Sequence, residues 1–364
     1  MKRAELVVIG AGPAGLMAAI EAAEAGVQVV LVDEHERPGG QLFKQIHKFF
    51  GSQEHFAGRR GYDIGEELLA RCRELGVVSR LSTVAYGIFP DKVVGLACGG
   101  HVEHVQARRL IIATGARENP LAFPGWDLPG VMGAGAAQTL LHVHRVLPGK
   151  RALMVGSGNV GLIVAHQLLQ AGAEVAAMVE AEDHIGGYLI HAEKLTREGV
   201  PIYLRHTVLR AEGEASVERA IIGELADGGE PALGPEMPLD VDCICLAVGL
   251  SPLTELAEMA GCQTTYLPDL GGHVPTHDES MQTTVPGIYV AGDLAGIEEA
   301  STAMDEGRLA GVTVAESLGR MPAQEAERRK EAIRARLRDL RRGAFGEYRA
   351  RAKKALERFC STTP

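Results

Sequence analysis

Gly10, Gly12 and Gly15, followed by the carboxylate of Asp33, are the first residues whose types and spacing could do chemistry. The spacing G-x-G-x-x-G allows a tight turn, a close backbone approach to a pyrophosphate, and a helix packed hard against its strand. An acid some twenty residues on can bind a ribose hydroxyl. Asp33 stands near that place, with Glu34 beside it. The spacing returns at Gly156, Gly158 and Gly161, with Asn159 and Val160 inside it and Glu180 as the later acid. Another acid, Asp293, follows Gly292 at the end of an apolar run. The carboxyl end of a strand is where a parallel α/β sheet binds ligands.

These residues need particular elements to carry them. Leu6 to Ile9 is an apolar run without a turn former, which reads as a buried parallel strand. An alanine-rich helix follows from Leu16 to Ala25 and stops at Gly26. A second strand, Val27 to Val32, delivers Asp33. The later motif has the same plan: a strand at Ala152 to Val155, a helix through Gln170 ended by Gly172, and a strand from Glu174 to Val179. Gly10 and Gly156 are 146 residues apart, while Glu180 falls one residue later than the first acid would predict.

Between and beyond the motifs, Gln41 to Phe50 reads as a helix start and Tyr62 to Leu75 as a helix ended by Gly76. Val77 to Ala97 reads as two strands broken at Pro90-Asp91. Arg109 to Ala113 is a buried strand closing in Thr114-Gly115, and a Pro/Gly-rich linker follows. Val241 to Val248 and Gly287 to Val290 are further strands, and Ala300 to Leu318 is a helix. The expected fold class is α/β: two Rossmann-type dinucleotide-binding domains, the second inserted into the first, plus a C-terminal basic helical segment. The boundaries fall at residues 1–118 with 252–320, 119–251, and 321–364.

The chain has 364 residues, 46% hydrophobic and 23% charged, the balance of a globular protein. A net charge of -10 and only 4% aromatic residues argue against a nucleic-acid partner. The apolar stretch Leu6 to Ile20 is too short and glycine-rich to span a membrane, and the N-terminus shows no signal-peptide pattern. Six scattered cysteines suit a reducing, cytoplasmic setting. Cys243 and Cys245 lie two apart on a strand and read as buried thiols. His142 and His144 lack a companion ligand set, so no metal is expected. From Arg320 onward, 14 basic residues face 6 acidic ones, leaving 23 against 41 in the rest. Apolar residues from Ile333 to Phe359 recur at mostly helical spacing, so this segment reads as two basic amphipathic helices. They would dock a partner or a second protomer, or wrap their own domain.

The glycine motif at Gly10–Gly15, then Ala113-Thr114-Gly115, then Gly292-Asp293 resemble, in that order, the flavoproteins with two dinucleotide-binding domains: the thioredoxin-reductase and lipoamide-dehydrogenase superfamily. The resemblance spans about residues 4 to 319. It implies FAD in the first domain. Gly10, Gly12, Pro13, Ala14 and Gly15 would bracket the pyrophosphate, and Asp33 with Glu34 would hold the adenosine ribose. Gly40, Gln41 and Leu42 would lie along the flavin-side phosphates, and Val84 would touch adenine through its backbone. Thr114-Gly115 would mark the crossover between domains, and Asp293 would bind the ribityl chain. Ala300, Ser301 and Thr302 would bring a helix N-terminus to the flavin pyrimidine, favouring a reduced anion. The second domain would hold NAD(H), preferred over NADP because Glu180 ends its strand with no Arg close behind. A second domain that packs without binding anything is the alternative. The redox cysteine pair of the disulfide reductases has no counterpart at Gly39–Leu42 or Gly130–Gln138.

A narrower similarity, carried by Leu31–Glu34, Pro38–Leu42, Thr284–Gly296 and Glu306–Gly311, is to the flavoprotein α-subunits of amino-acid dehydrogenase complexes. These include hydrogen cyanide synthase, opine oxidase, dye-linked proline dehydrogenase and heterotetrameric sarcosine oxidase. The similarity implies an oligomer in which a separate flavoprotein subunit oxidises an amine and this chain relays electrons. Many such relatives continue into a cysteine-rich iron–sulfur segment. Here only Cys360 stands near the end, so a small iron–sulfur protein would be separate or unused. A second departure is Glu298-Glu299, where the relatives carry small residues and where acids would oppose a reduced flavin anion. Two other functions remain open: a free-standing NADH-dependent reductase or oxidase, and a non-catalytic FAD-containing scaffold.

Overall fold

The computed structural model describes residues 1–49, 52–343 and 346–361, with side chains as far as residue 356. Phe50, Phe345, and the side chains of Phe359 and Cys360 lie outside the described residues. The chain divides into two compact units, Met1–Arg117 with Ser251–Pro364, and Glu118–Leu250.

The first unit opens on β1 (Lys2–Ile9), α1 (Pro13–Glu24) and β2 (Val29–Val32). β1 and β2 run parallel, with Ile9 opposite Val32. The helix expected over Gln41–Phe50 is only a 3-10 turn at Gly40–Lys44. Leu42 is its one buried side chain, and beyond it Lys48 bridges antiparallel to Arg60 while Phe49 exchanges backbone hydrogen bonds with Arg59 and Gly58, which takes the chain out of a helix. Then come α2 (Gly61–Glu74), β3 (Val78–Arg80), β4 (Val84–Phe89), β5 (Val93–Cys98), β6 (His101–Ile112) and the short β7 (Ala116–Glu118). The sheet runs β3-β2-β1-β6-β5-β4. Its centre is parallel and buried, so β1 and β6 end in the apolar runs Leu6–Ile9 and Leu110–Ile112.

The second unit holds β8 (Val131–Gly133), α3 (Ala134–Thr139), β9 (Arg151–Val155), α4 (Asn159–Gln170), β10 (Glu174–Glu180), α5 (Leu189–Arg197) and β11 (Ile202–Leu204). An antiparallel trio follows: β12 (His206–Glu212), β13 (Arg219–Glu224) and β14 (Met237–Asp240). β15 (Cys243–Leu246) completes a five-stranded order β11-β10-β9-β15-β8, and β16 (Leu250–Pro252) ends the excursion.

The chain then returns through α6 (Glu255–Met259), β17 (Thr264–Leu267) and β18 (Gly272–Pro275) to β19 (Ile288–Val290), which pairs parallel with β6. Three helices close the first unit: α7 (Ala300–Ser317), α8 (Ala323–Leu340) and α9 (Glu347–Ser361). The two basic helices wrap their own unit. Ile333 and Leu337 of α8 enter the main core, and Ala352 and Leu356 of α9 cover Leu270 and Val274.

Candidate functional site

At the first glycine motif each glycine has a different neighbourhood. A Cβ on Gly10 (φ +103°) would overlap the Ala113 carbonyl, and one on Gly15 would overlap the Gly10 carbonyl. The fold therefore requires both. Gly12 is another case: its φ of -73° and ψ of -178° suit any residue, and a Cβ there meets nothing nearer than the Gly40 Cα at 3.9 Å. That room above the loop is the space a pyrophosphate would take. The Asp33 carboxylate accepts hydrogen bonds from the Ala11 amide at 2.6 Å and the His35 amide at 2.8 Å, and so holds the loop. The Gly39 amide donates to the Ala11 carbonyl at 2.7 Å, which lays the Gly39-Gly40 turn under the loop. Gln41 and Glu34 are exposed, whereas Leu42 is a core residue. The Thr83 amide donates to the Asp33 carbonyl at 2.8 Å, so Val84 begins its strand beside the acid. Thr114 donates through Oγ1 to the Leu253 carbonyl, and Gly115 accepts from the Leu253 amide. The outgoing and returning chains are thereby tied together.

The second motif repeats these contacts. Cβ atoms on Gly156 and Gly161 would overlap the Ala247 and Gly156 carbonyls, while Gly158 has nothing within 4 Å. Glu180 accepts from the Ser157 amide at 2.7 Å and from the Glu182 amide at 3.0 Å, as Asp33 does from Ala11 and His35. The extra residue before Glu180 is a β-bulge. β9 and β10 pair as Ala152 with Val175 and then Leu153 with Ala177, leaving Ala176 over. Glu180 therefore occupies the place of Asp33 against its loop, one residue later in the count. Sequence reasoning missed that the repeat continues. Gly186-Gly187 stands where Gly39-Gly40 does, and the Gly186 amide donates to Ser157 Oγ at 3.0 Å. An offset of 147 would have revealed it. Asn159 accepts from the Tyr188 amide at 2.8 Å, and Val160 is exposed.

In the first unit the Gly292–Ala295 3-10 turn packs against the glycine loop: a Cβ on Gly292 would lie 2.9 Å from the Ala14 Cβ. Burial pushes the Asp293 carboxyl up to about 7 against a hydrogen bond from the Glu298 amide, and the charges of Glu306, Glu299 and Glu298 add to the rise. α7 begins beside this turn. Ala300 and Ser301 are half-buried, and Thr302 is buried and donates to the Glu299 carbonyl at 2.6 Å. Glu298 is not the bare acid that its sequence position suggested. Its carboxylate lies 2.7 Å from an Arg341 Nη and 3.6 Å from Lys353 Nζ.

The pyridine nucleotide-disulphide oxidoreductase profile matches residues 4–307. The chain belongs to this family. It is 34% identical over 340 residues to an opine oxidase subunit of Rhizobium meliloti, covering 87% of this chain and 72% of that protein. L-proline dehydrogenase from P. horikoshii has a similar fold, with a TM-score of 0.70 at 25% identity over 92% of this chain and 59% of that one. T. acidophilum thioredoxin reductase matches at a TM-score of 0.71 and 18% identity over 87% of this chain and all of its own. The family makes the protein an FAD-dependent oxidoreductase with FAD and NAD(P)H as cofactors. The open space above Gly12 and Gly158, each backed by an acid-held loop, fits two such dinucleotides.

Within this family the chain lacks an accessible cysteine pair among the described residues. Cys72, Cys243, Cys245 and Cys262 are buried free thiols, and Cys98 is exposed alone. The Sγ atoms of Cys243 and Cys245 lie 3.6 Å apart inside the second unit. The hydrogen bond with Cys243 and burial hold the Cys245 thiol well above its usual range, which makes it a poor nucleophile. No group of His, Cys, Asp and Glu suited to a metal occurs among the described residues, and no described helix is long and apolar enough to cross a membrane.

Proposed function

We propose that the chain is the electron-relaying flavoprotein subunit of an amine- or amino-acid-oxidising complex, with FAD on the first unit and NAD(H) on the second. The observation that carries this reading is the pair Gly12 and Gly158, two glycines the fold itself does not require, each beside a carboxylate-fixed loop. The relative's name adds the subunit role: the opine oxidase protein is one part of an assembly. The partners would be a subunit that oxidises the amine and, where one is used, a small iron–sulfur protein. The setting would be a reducing cytoplasm, in keeping with the free thiols.

On this reading Gly10–Gly15 and Gly40 lodge the FAD pyrophosphate, Asp33 the adenosine ribose, Val84 the adenine edge and Asp293 the ribityl chain. Gln41 would line the flavin side, and Ala300 to Thr302 would present helix amides to the pyrimidine. Bound FAD supplies the redox centre that connects NADH with the partner. Gly156 to Gly161 lodge the second pyrophosphate. Glu180 favours NAD: a 2'-phosphate about 4 Å away would be opposed by roughly 4 kcal/mol per charge pair at an effective dielectric near 20. Glu182 and Asp183 follow, and Arg205, whose amide reaches the Glu182 carbonyl, is paired with Asp227 at 2.6 Å.

The test is anaerobic. The flavin absorbance is followed while stoichiometric NADH, then NADPH, is added. Bleaching by NADH and not NADPH is the expected result. Equal bleaching by NADPH would refute the role given to Glu180. A flavin that neither reduces would leave the second unit without a working nucleotide site.

A further inference from the structure

The start of α7 and the turn before it carry three buried acids. Glu298, Asp305 and Glu306 have side chains 5%, 0% and 3% exposed. Each is met by cations, and the C-terminal helices supply one to every acid. Arg336 of α8 forks onto Asp305, with Nη2 at 2.9 Å and Nε at 3.1 Å. Arg308 and His55 also bind that carboxylate. Arg341, at the end of α8, reaches both Glu298 and Glu306 at 2.7 Å. Lys353 of α9 lies 2.6 Å from Glu306 and donates to the Ala295 carbonyl at 2.9 Å.

Glu306 meanwhile accepts from the Gly292 amide at 3.0 Å. Lys353 thus holds both ends of the Gly292–Ala295 turn: Ala295 directly, and Gly292 through Glu306. Arg341 and Lys353 together cancel the charges of Glu298 and Glu306. Without them two buried carboxylates would stand unpaired beside Asp293, and a buried charge without a partner is strongly unfavourable. The acid at Glu298, which alone would oppose a reduced flavin, is tolerable because the tail neutralises it.

We propose that Lys353 and Arg341, carried in by the C-terminal helices, are positioning residues for the flavin: they hold the Gly292–Ala295 turn and neutralise it. The tail then sets how tightly, and at what potential, the first unit carries FAD. The inference rests on FAD occupying that unit.

The experiment compares the wild-type full chain with Lys353→Met, Lys353→Arg and the double variant Glu306→Gln/Lys353→Met. Three quantities are read: FAD affinity by fluorescence titration of the deflavinated protein, flavin midpoint potential by dye equilibration, and thermal unfolding. Lys353→Met leaves the quartet of charges one negative, so its flavin potential moves to more negative values and FAD binds about tenfold or more weakly. The double variant restores neutrality, so its potential returns toward wild type while the lost hydrogen bond keeps FAD weaker. Lys353→Arg keeps the charge and the potential, and serves where Lys353→Met does not fold.

A Lys353→Met protein with wild-type affinity and potential, whatever its melting temperature, overturns the proposal. So does a double variant as displaced in potential as the single one, or a Lys353→Arg protein displaced in potential. A wild-type protein that takes up no FAD would instead remove the cofactor assignment, and the inference with it.

Discussion

The loops at Gly10–Gly15 and Gly156–Gly161 share the acid on the second loop amide and the double-glycine turn beneath, although that turn is held by the Ala11 carbonyl in one and by Ser157 Oγ in the other. Their surroundings do not match. Around the first loop the ion pairs are buried: Asp305 is 0% exposed and Lys353 6%. In the second unit the pairs lie in water, as with Arg205 at 44% and Asp227 at 96% exposure. Exposed pairs of that kind contribute about 0–1 kcal/mol, whereas breaking one partner of a buried pair costs about 3–5 kcal/mol. Leu189 and Ile190, which follow the Gly186-Gly187 turn at the start of α5, are exposed apolar residues. One dinucleotide motif is thus built into a rigid, charge-locked frame, which suits a retained prosthetic group. The other stands in an open one, which suits a ligand that comes and goes.

The sharpest way to break this comparison is to add a methyl at glycines of different standing. Gly15→Ala places carbon on the Gly10 carbonyl and should destabilise the first unit by more than about 4 kcal/mol. Expression should then yield little soluble protein. Gly12→Ala meets nothing within 3.9 Å. Compared with deflavinated wild type, its circular dichroism and melting temperature should be unchanged while it no longer takes up FAD. Gly158→Ala should also fold, keep its flavin, and fail to be bleached by NADH. A Gly12→Ala protein that binds FAD normally would show that the open space above Gly12 is not where the pyrophosphate lies.

The outer glycines of both motifs could be read from the sequence because local backbone needs dictate them: a positive φ at Gly10 and Gly156, and a close carbonyl approach at Gly15 and Gly161. The buried acids could not. Glu306 stands in a helix like many others, and its partner Lys353 is 47 residues later. Charge composition marked the tail as basic but did not say whose acids it would meet. Gly186-Gly187 escaped for a different reason: the bulge at Ala176 shifts the repeat by one residue, so a fixed offset of 146 misaligns everything after it.

A smaller effect should appear as a pH dependence within the first unit. His277 is 4% exposed, and its Nδ1 contacts the Asp278 carbonyl at 2.9 Å. Burial pushes its imidazole down to about 4, helped by Lys353 of α9 and by Arg341, against the Asp278 carbonyl and charge. A histidine depressed in the folded state is protonated first in the unfolded chain. Its contribution is therefore complete above about pH 6.5 and is lost as pH falls through 4, to the extent of about 3 kcal/mol. Asp293, pushed up to about 7, works in the opposite sense, because the folded state holds its proton more tightly as pH falls from 7 toward 4. The His277 term is therefore read as the difference between wild type and His277→Gln in urea unfolding at pH 4 and pH 7. The variant should lose less stability on acidification. Equal losses would mean that His277 titrates normally.

The smallest effect tests whether the two acid sites are the same device. Val175 and Met178 face one core of the second unit, and Ala177 and Val179 the other, with Ala176 on the side of Ala177. Ala176 therefore breaks the alternation, and deleting it restores the regular strand. The pairing of Met178, Val179 and Glu180 with β11 lies wholly beyond the bulge and need not move. The deletion should change stability by no more than about 1 kcal/mol and leave reduction by NADH intact, since Glu180 is fixed by Ser157 and Glu182 rather than by its count from Gly156. If reduction by NADH is lost in a stable deletion protein, the bulge itself places Glu180, and the second acid is not the counterpart of Asp33. If it persists, contacts at the loop set the register, and the extra residue is slack taken up within the strand.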